Sequence, residues 1–516
     1  MSWRASPSAD GGRSWGSRQG IEEARSTWRT RTTRFSWRAG YGGCWRRRRR
    51  DPCVSRAGQV RATPCAWPSS RPEARIEAQR LHGHRYFSRV NPSLGGVRLL
   101  RVALVNPNRY LEPPVIPLGI EYIAHYLDRE KHEVEVIDLA FAADPAAALG
   151  EALESFGPEV VGFSLRNVDS SLYHDNVFFL EEAAELISVC RRACGARVVA
   201  GGSAFLAGPR EVAEFTGCDF AVYGPGERAF PALLRYLERG AAPPRLLDGW
   251  SYSFDRAEVP ARGHWIDYGP YMRKRGIAGF ATQTGCRASC AFCVEAGLPW
   301  RSREPRAVVE ELAGLRVKGC SELHLCDCEF NQDLDTAKEL LKHMAGAELG
   351  ISWSLYMKPL PHDEKLFHLL AETGAASVTL SVDSRSLYAG AYGLMDLQSA
   401  VVLAQREGIR VAVDLLVGFP GESREELRDI FDFFRAVRPE TVGVTAWLRV
   451  FKYTELGVDM RSRSPAAGII EGDDADYVRP VYYSWLTVED CRELACGDPL
   501  FRIEGLERRS NYERLS

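Results

Sequence analysis

From Val97 onward the chain alternates, twice over, between short apolar runs of strand length and amphipathic stretches of helix length. That rhythm leaves few folds open. A strand, a crossover helix and a second strand place the strands parallel, so each series must build a parallel sheet covered by helices. In the first series the strand-like runs fall at 98–108, 133–139, 160–165, 197–205 and 219–227. Helical patterns lie at 118–127, 145–155 and 176–194, with another running to about 239. This predicts a doubly wound, Rossmann-like sheet over 97–240, whose ligand sits beyond the carboxyl ends of the strands. Gly201, Gly202, Gly224 and Gly226 fall at such ends, where a missing side chain permits close approach. Residues 241–270 are punctuated by Pro, Gly and Asp and read as a linker.

The second series predicts strands at 276–284, 322–330, 351–359, 377–384, 410–423 and 441–451. Helices between them stop at Gly319, Gly346, Gly374 and Gly408, and the fifth opens with Ser423 and Glu426 as a capping box. Six β/α units without a GxGxxG fingerprint suggest a partial (β/α)6 TIM-type barrel over 271–454, followed by a mixed segment, 455–516. Thr487 and Asp490 are expected to cap a short helix in that segment.

Directly after the first strand of the second series comes TQTGCRASCAFCVEAG, Thr282 to Gly297. Cys286, Cys290 and Cys293 are spaced Cys-x3-Cys-x2-Cys, with Phe292 before the third. Three thiolates on one loop make a soft-ligand site. Structural zinc wants four tetrahedral ligands, and no fourth Cys or His follows at finger spacing. An iron–sulfur cluster on three thiolates leaves one iron open to another ligand. Three unrelated buried cysteines are the remaining reading.

Charge is unevenly spread over the 516 residues. Residues 1–95 hold 20 Arg, no Lys and 6 acidic residues, a balance of +14, which leaves −16 for the rest of a chain whose net charge is −2. A basic arm for nucleic acid is one reading of 1–95. The Lys-free skew instead suggests a disordered extension translated ahead of the true start, with no function and no nucleic-acid partner. No run of eighteen apolar residues marks a membrane span. The 14 cysteines lack the dense spacing of a disulfide scaffold, and no signal peptide opens the chain, so a reducing cytoplasm is expected.

The cysteine spacing and Phe292 resemble the signature of the radical SAM superfamily. The segments VNPN…PPVIPLGIEYIAHYL, VVAGGSAF and YGPGE resemble the cobalamin-binding domain found upstream of many such barrels. Together they resemble the cobalamin-dependent (class B) radical SAM enzymes, most of which are methyltransferases. The resemblance implies a [4Fe-4S] cluster on Cys286, Cys290 and Cys293, S-adenosylmethionine (SAM) at its open iron, and cobalamin on the first domain. It assigns Phe292, Glu329, Asp383, Gly418 (in GFPGES) and Arg449 to SAM, Arg449 as a partner for its carboxylate. It assigns Ser164, Arg166, Gly201, Gly202, Gly224, Gly226 and Glu227 to cobalamin. No catalytic residue is named. Cys326 and Cys328 are expected on one strand face as packing or near-site thiols. The loop Asn106–Pro114 lacks the His that ligates cobalt in some cobalamin domains, and His125 and His132 fall on or after the next helix. The lower face of cobalt is therefore expected to lack a protein imidazole, with Arg166 and Asn167 near it.

The implied reaction methylates an unactivated carbon or phosphorus centre by way of a 5′-deoxyadenosyl radical and methylcobalamin. Three alternatives stand beside it: a cobalamin-assisted rearrangement or cyclisation without net methylation, a sensor that binds cobalamin or SAM without turnover, and a methylthiotransferase, which would need an extra cluster and usually an RNA-binding tail, neither of which the sequence shows. S-adenosylhomocysteine beside a product heavier by one methyl separates the first. Absence of SAM cleavage under strong reductant would favour the second. The implied partners are a small-molecule or peptide substrate and a flavodoxin- or ferredoxin-type electron donor.

Overall fold

The computed structural model describes residues 99–111, 113–462, 469–471 and 477–505. The Arg-rich stretch 1–95, with its expected disorder, lies outside them.

The first series forms β1 (Arg101–Asn106), α1 (Leu118–Arg129), β2 (Glu133–Asp138), α2 (Pro145–Phe156), β3 (Val160–Ser164), α3 (Leu180–Ala193), β4 (Arg197–Gly201), α4 (Pro209–Thr216), β5 (Phe220–Tyr223) and α5 (Gly226–Glu238). A further strand, β6 (Leu246–Asp248), lies in the stretch expected to be a bare linker. All six strands are parallel, in the order β2-β1-β3-β4-β5-β6. Order reverses between β1 and β3, so the loops after those two strands diverge and open a crevice. Ala103, Val105, Val161, Phe163, Val198 and Ala200 from the central strands pack on one face against α2 and α3. Such apolar strands are expected where helices cover both faces. α3 begins at Leu180, later than its periodicity suggested, because Asp169 and Phe178 first pair as a β-bridge that closes a loop.

After α6 (Gly269–Arg273) the second series begins. It runs β7 (Ala278–Phe280), the antiparallel pair β8 (Gln283–Thr284) and β9 (Arg301–Ser302), α7 (Pro305–Val317), β10 (Glu322–Leu325), α8 (Leu334–Gly346), β11 (Ser352–Met357), α9 (Glu364–Glu372), β12 (Ala375–Asp383), α10 (Ser384–Tyr388), α11 (Leu394–Arg406), β13 (Arg410–Leu416), α12 (Arg424–Val437) and β14 (Thr441–Thr445). Then come β15 (Leu448–Arg449), α13 (Glu455–Ser462), β16 (Ile469–Glu471), β17 (Tyr482–Ser484), α14 (Val488–Ala495) and β18 (Phe501–Ile503). The barrel sheet is parallel throughout, in the order β7-β10-β11-β12-β13-β14-β18. It thus has seven strands, with β18 added beside β14. No pairing joins β7 to β18 among the described residues, so the barrel is open along one side.

Alternation along its strands decides what lies inside. On β11, Trp353, Leu355 and Met357 are buried against the helices, while Ser354 and Tyr356 are half-buried on the opposite face. β12 repeats this with Val378, Leu380 and Val382 against Thr379 and Ser381, and β13 with Val411, Val413 and Leu415 against Asp414. A closed TIM barrel fills its interior with branched apolar side chains. Here the inner face is polar, as a lumen that admits a ligand requires. Both expected capping boxes form, Ser423 with Glu426 and Thr487 with Asp490.

A buried ionic network ties α1 to α7. Arg262 reaches Glu121 (2.6 Å) and Glu311 (2.7 Å), and Arg303 reaches Glu311 (2.5 Å). Tyr122 and Tyr268 donate to the same two carboxylates at 2.9 and 2.6 Å. Every charge here has a partner, which is the condition for burying charge at all. Backbone bonds between Pro114–Ile116 and Ile277 join the two halves again at the entry to β7.

Candidate active site

The cysteine loop leaves the carboxyl end of β7 and is held from below. Asp327, just past β10, is buried and accepts the backbone N–H of Thr282 (2.8 Å) and of Gln283 (3.2 Å), and the Thr282 hydroxyl. Gln283 donates to the carbonyls of Glu329 (2.7 Å) and Phe330 (3.2 Å). Gly285 sits at φ +80°, where a Cβ would lie 2.1 Å from the Pro299 carbonyl oxygen. Gln332 clasps the loop from the side, accepting from the Arg287 amide and donating to the Gly285 carbonyl. The loop that carries the three thiols is thus bonded directly to the loop that carries Glu329.

The thiols converge beside charged groups. Burial raises Cys290 and pushes Cys293 up to about 12. Cys286 is held down to about 7 by a hydrogen bond with Cys328, whose own thiol is raised by the same contact. Cys328 also donates to Glu295 at 3.0 Å. Cys326 and Cys328 lie past the end of β10, in a loop, so the shared strand face expected for them does not exist. Phe292 packs on Phe419 with ring centres 5.7 Å apart, joining the cysteine loop to the GFPGES turn.

Three strand ends form a cup next to that loop. Glu329 follows β10, Asp383 ends β12, and Lys358 follows β11. Burial pushes the Glu329 carboxyl up to about 8, with Lys358 pulling against it. Glu329 Oε2 and Asp383 Oδ2 are buried without a hydrogen-bond partner. Sequence reasoning missed Lys358. Gly418 sits at φ +92°, where a Cβ would lie 2.5 Å from the Ala446 carbonyl oxygen, so only glycine lets this turn pass so close. Glu422 shapes that turn by accepting the amides of Gly418 (2.8 Å) and Phe419 (3.0 Å).

Arg449 lies elsewhere. It is buried and bonded to Asp169 (2.8 Å) and to the carbonyls of Val450 (2.7 Å), Tyr477 (3.2 Å) and Val478 (3.0 Å). Four of its five N–H donors are spent on clasping the loop after β3 to the barrel's last segments, rather than on the carboxylate expected for it. The sequence put Arg449 on strand six, but that strand stops at Thr445 and Arg449 belongs to the separate antiparallel ribbon β15–β17.

On the first domain, Ser164 ends β3 and Arg166 follows it at the crevice. The Arg166 charge reaches across to the barrel, where burial and then Arg166 hold His324 down to about 4. Arg166 also acts on Cys326, whose thiol burial pushes up to about 11. Arg166 itself is exposed. The glycines serve their own chain. A Cβ at Gly202 (φ +105°) would lie 2.4 Å from the Leu165 carbonyl oxygen, and one at Gly224 (φ +82°) 2.5 Å from Trp250 Nε1. Cβ atoms at Gly201 and Gly226 would press on the Val222 carbonyl and the Ile123 side chain. Glu227 is half-buried at the start of α5, where desolvation raises its carboxyl, and its buried Oε2 lacks a partner. His125 is engaged by Glu258 at 2.7 Å, and His132 accepts from the Leu100 amide at 3.3 Å. Neither stands at the end of a strand in the crevice.

These residues fit the expected groups. The three thiols suit a cluster, and the orphaned carboxylate oxygens of the cup want an ammonium. Residues 109–234 match the B12 binding domain family and residues 280–434 the radical SAM superfamily. The chain is 27% identical to the tryptophan 2-C-methyltransferase of Streptomyces laurentii, covering 72% of this chain and 76% of that one. It is 25% identical to the cytidylyl-2-hydroxyethylphosphonate methyltransferase of Streptomyces wedmorensis, covering 65% and 77%. Among solved structures it resembles TsrM, a radical S-adenosylmethionine methyltransferase of Kitasatospora setae, solved with cobalamin and a [4Fe-4S] cluster bound. That likeness has a TM-score of 0.72 at 26% identity, over 78% of this chain and 93% of that one.

Proposed function

As a member of the cobalamin-dependent radical SAM methyltransferases, the chain uses a [4Fe-4S] cluster, SAM and cobalamin, and we propose that it methylates an unactivated carbon or phosphorus centre of a small molecule or peptide. The observation that carries the reading is the cup of Glu329, Asp383 and Lys358 beside the three-cysteine loop, in which two buried carboxylate oxygens lack a hydrogen-bond partner. Arg166, just past the carboxyl end of β3 in the first domain, acts electrostatically on His324 and Cys326 of the barrel. The bound cofactors would supply reducing electrons, a SAM-derived radical and a methyl-carrying cobalt.

The chain's own residues do the aiming. Cys286, Cys290 and Cys293 would hold the cluster, and Asp327 and Gln332 fix their loop. Glu329 and Asp383 would take the ammonium of SAM on their open oxygens. Gly418 would let the turn approach the adenine, with Phe292 packed behind it. Ser164, Arg166, Gly201, Gly202 and Glu227 would border cobalamin. The buried network of Glu121, Arg262, Glu311 and Arg303 ties α1 of the first domain to α7 of the barrel. A flavodoxin- or ferredoxin-type donor would deliver the electrons. No helix among the described residues is long and apolar enough to cross a membrane.

The test is reconstitution of the protein under anaerobic conditions with iron, sulfide and cobalamin, beside a variant with Cys286, Cys290 and Cys293 all replaced by Ala. The variant should lose iron and 5′-deoxyadenosine formation while keeping cobalamin. A variant that still carried a four-iron cluster would sink the assignment.

A further inference from the structure

The cysteine loop meets a further sulfur that the Cys-x3-Cys-x2-Cys spacing does not include. Cys328 lies in the loop after β10, between two anchored residues. On one side Asp327 accepts the amides of Thr282 and Gln283, and on the other the Glu329 carbonyl accepts from Gln283 Nε2 at 2.7 Å. These bonds stitch the backbone around Cys328 to the strand that enters the cysteine loop, so its half-buried thiol is set against that loop. The S–H has two acceptors in reach. Glu295 Oε2 accepts it at 3.0 Å, and a hydrogen bond also joins it to the Cys286 sulfur. Glu295 belongs to the cysteine loop itself, and its backbone N–H donates to the Cys293 sulfur at 3.4 Å.

A thiol carries one proton, so Cys328 serves one of these acceptors at a time. Which one wins depends on the charge on each. With the cysteines bound to iron, Cys286 is a thiolate, and its sulfur gains negative charge when the cluster takes up an electron. The Glu295 carboxylate keeps its charge throughout. An added electron therefore draws the Cys328 proton from Glu295 toward Cys286. Hydrogen bonds to the sulfurs are among the levers that set the reduction potential of a cluster. We infer that the Cys328 S–H donates to the Cys286 sulfur of the reduced cluster and raises its reduction potential, with Glu295 as the competing acceptor. This rests on Cys286, Cys290 and Cys293 holding the cluster. The electron comes from an external one-electron donor, no covalent bond forms or breaks, and the proton stays on the Cys328 sulfur.

The test is a redox titration of the full-length protein loaded with iron, sulfide and cobalamin, followed by the electron paramagnetic resonance signal of the reduced cluster. Wild type, Cys328→Ala, Cys328→Ser, Glu295→Gln and the double variant Cys328→Ala with Glu295→Gln are compared at matched iron content and melting temperature. At the potential that half-reduces the wild-type cluster, Cys328→Ala should show a reduced-to-oxidised ratio about fivefold lower, the size of one net hydrogen bond. Cys328→Ser keeps a donor and should stay within about twofold of wild type. Glu295→Gln should raise the ratio in wild type and raise it less in the Cys328→Ala background, where no shared proton remains to release. An unchanged ratio in Cys328→Ala, or a Glu295→Gln effect of equal size in both backgrounds, overturns the inference. Loss of iron from Cys328→Ala would make Cys328 a ligand rather than a donor and overturns it too. If wild type forms no cluster, the assignment of the three cysteines fails first, and the two failures are distinct.

Discussion

Burial pushes the Glu329 carboxyl up to about 8 while Lys358 pulls only partly against it, which ties stability to pH in the cofactor-free protein. The ordinary carboxyl value is near 4.5. Between the two values the folded state binds the extra proton, so stability falls as pH rises through that window. Glu329→Gln removes this dependence. The variant should melt higher than wild type above the raised value of about 8 and equally near 4.5. A melting difference independent of pH would mean that Glu329 is not held at a raised value. At this scale the sequence showed Glu329, Asp383 and the three cysteines, because strand ends and short spacings are visible in one dimension. Lys358 was visible too, through the odd-even phase Ser354, Tyr356, Lys358, but it reads as a surface lysine before Pro359. Arg449 misled because the strand expected over 441–451 stops at Thr445 and Arg449 falls in a separate short strand.

Elements were legible in proportion to their length. The long helices and the Ser423 capping box follow from periodicity and caps over ten or more residues. β6 and β18 are three residues each, Leu246–Asp248 and Phe501–Ile503, too short to show a period of two, and both were missed. They form because a neighbouring strand offers an open edge, which is information from the sheet rather than from the segment. The pairing of α1 with α7 was equally hidden, since Glu121 and Glu311 meet only through Arg262 and Arg303. Glu311→Ala leaves two buried guanidinium groups short of a partner and should destabilise the protein by about 3–5 kcal/mol in denaturant unfolding. Glu339→Ala, on the exposed face of α8, should stay within about 0.5 kcal/mol. Equal effects from the two would show that the network does not hold the domains.

For the molecule as a whole, two alternating series form two parallel sheets in the expected succession, the first wound about a β1/β3 reversal and the second an open barrel. How the two mouths face each other was not readable, because it is set by contacts between residues 141 and 189 positions apart, such as Arg262 with Glu121 and Tyr122 with Glu311. The proposed methyl transfer needs both domains, and one half of it can be followed without knowing the substrate. The reconstituted protein, reduced and supplied with SAM bearing a trideuterated methyl group, should place that label on cobalamin and release S-adenosylhomocysteine in equal amount. The account predicts labelled methylcobalamin by mass spectrometry. Unlabelled cobalamin, with SAM consumed only to 5′-deoxyadenosine, would contradict it.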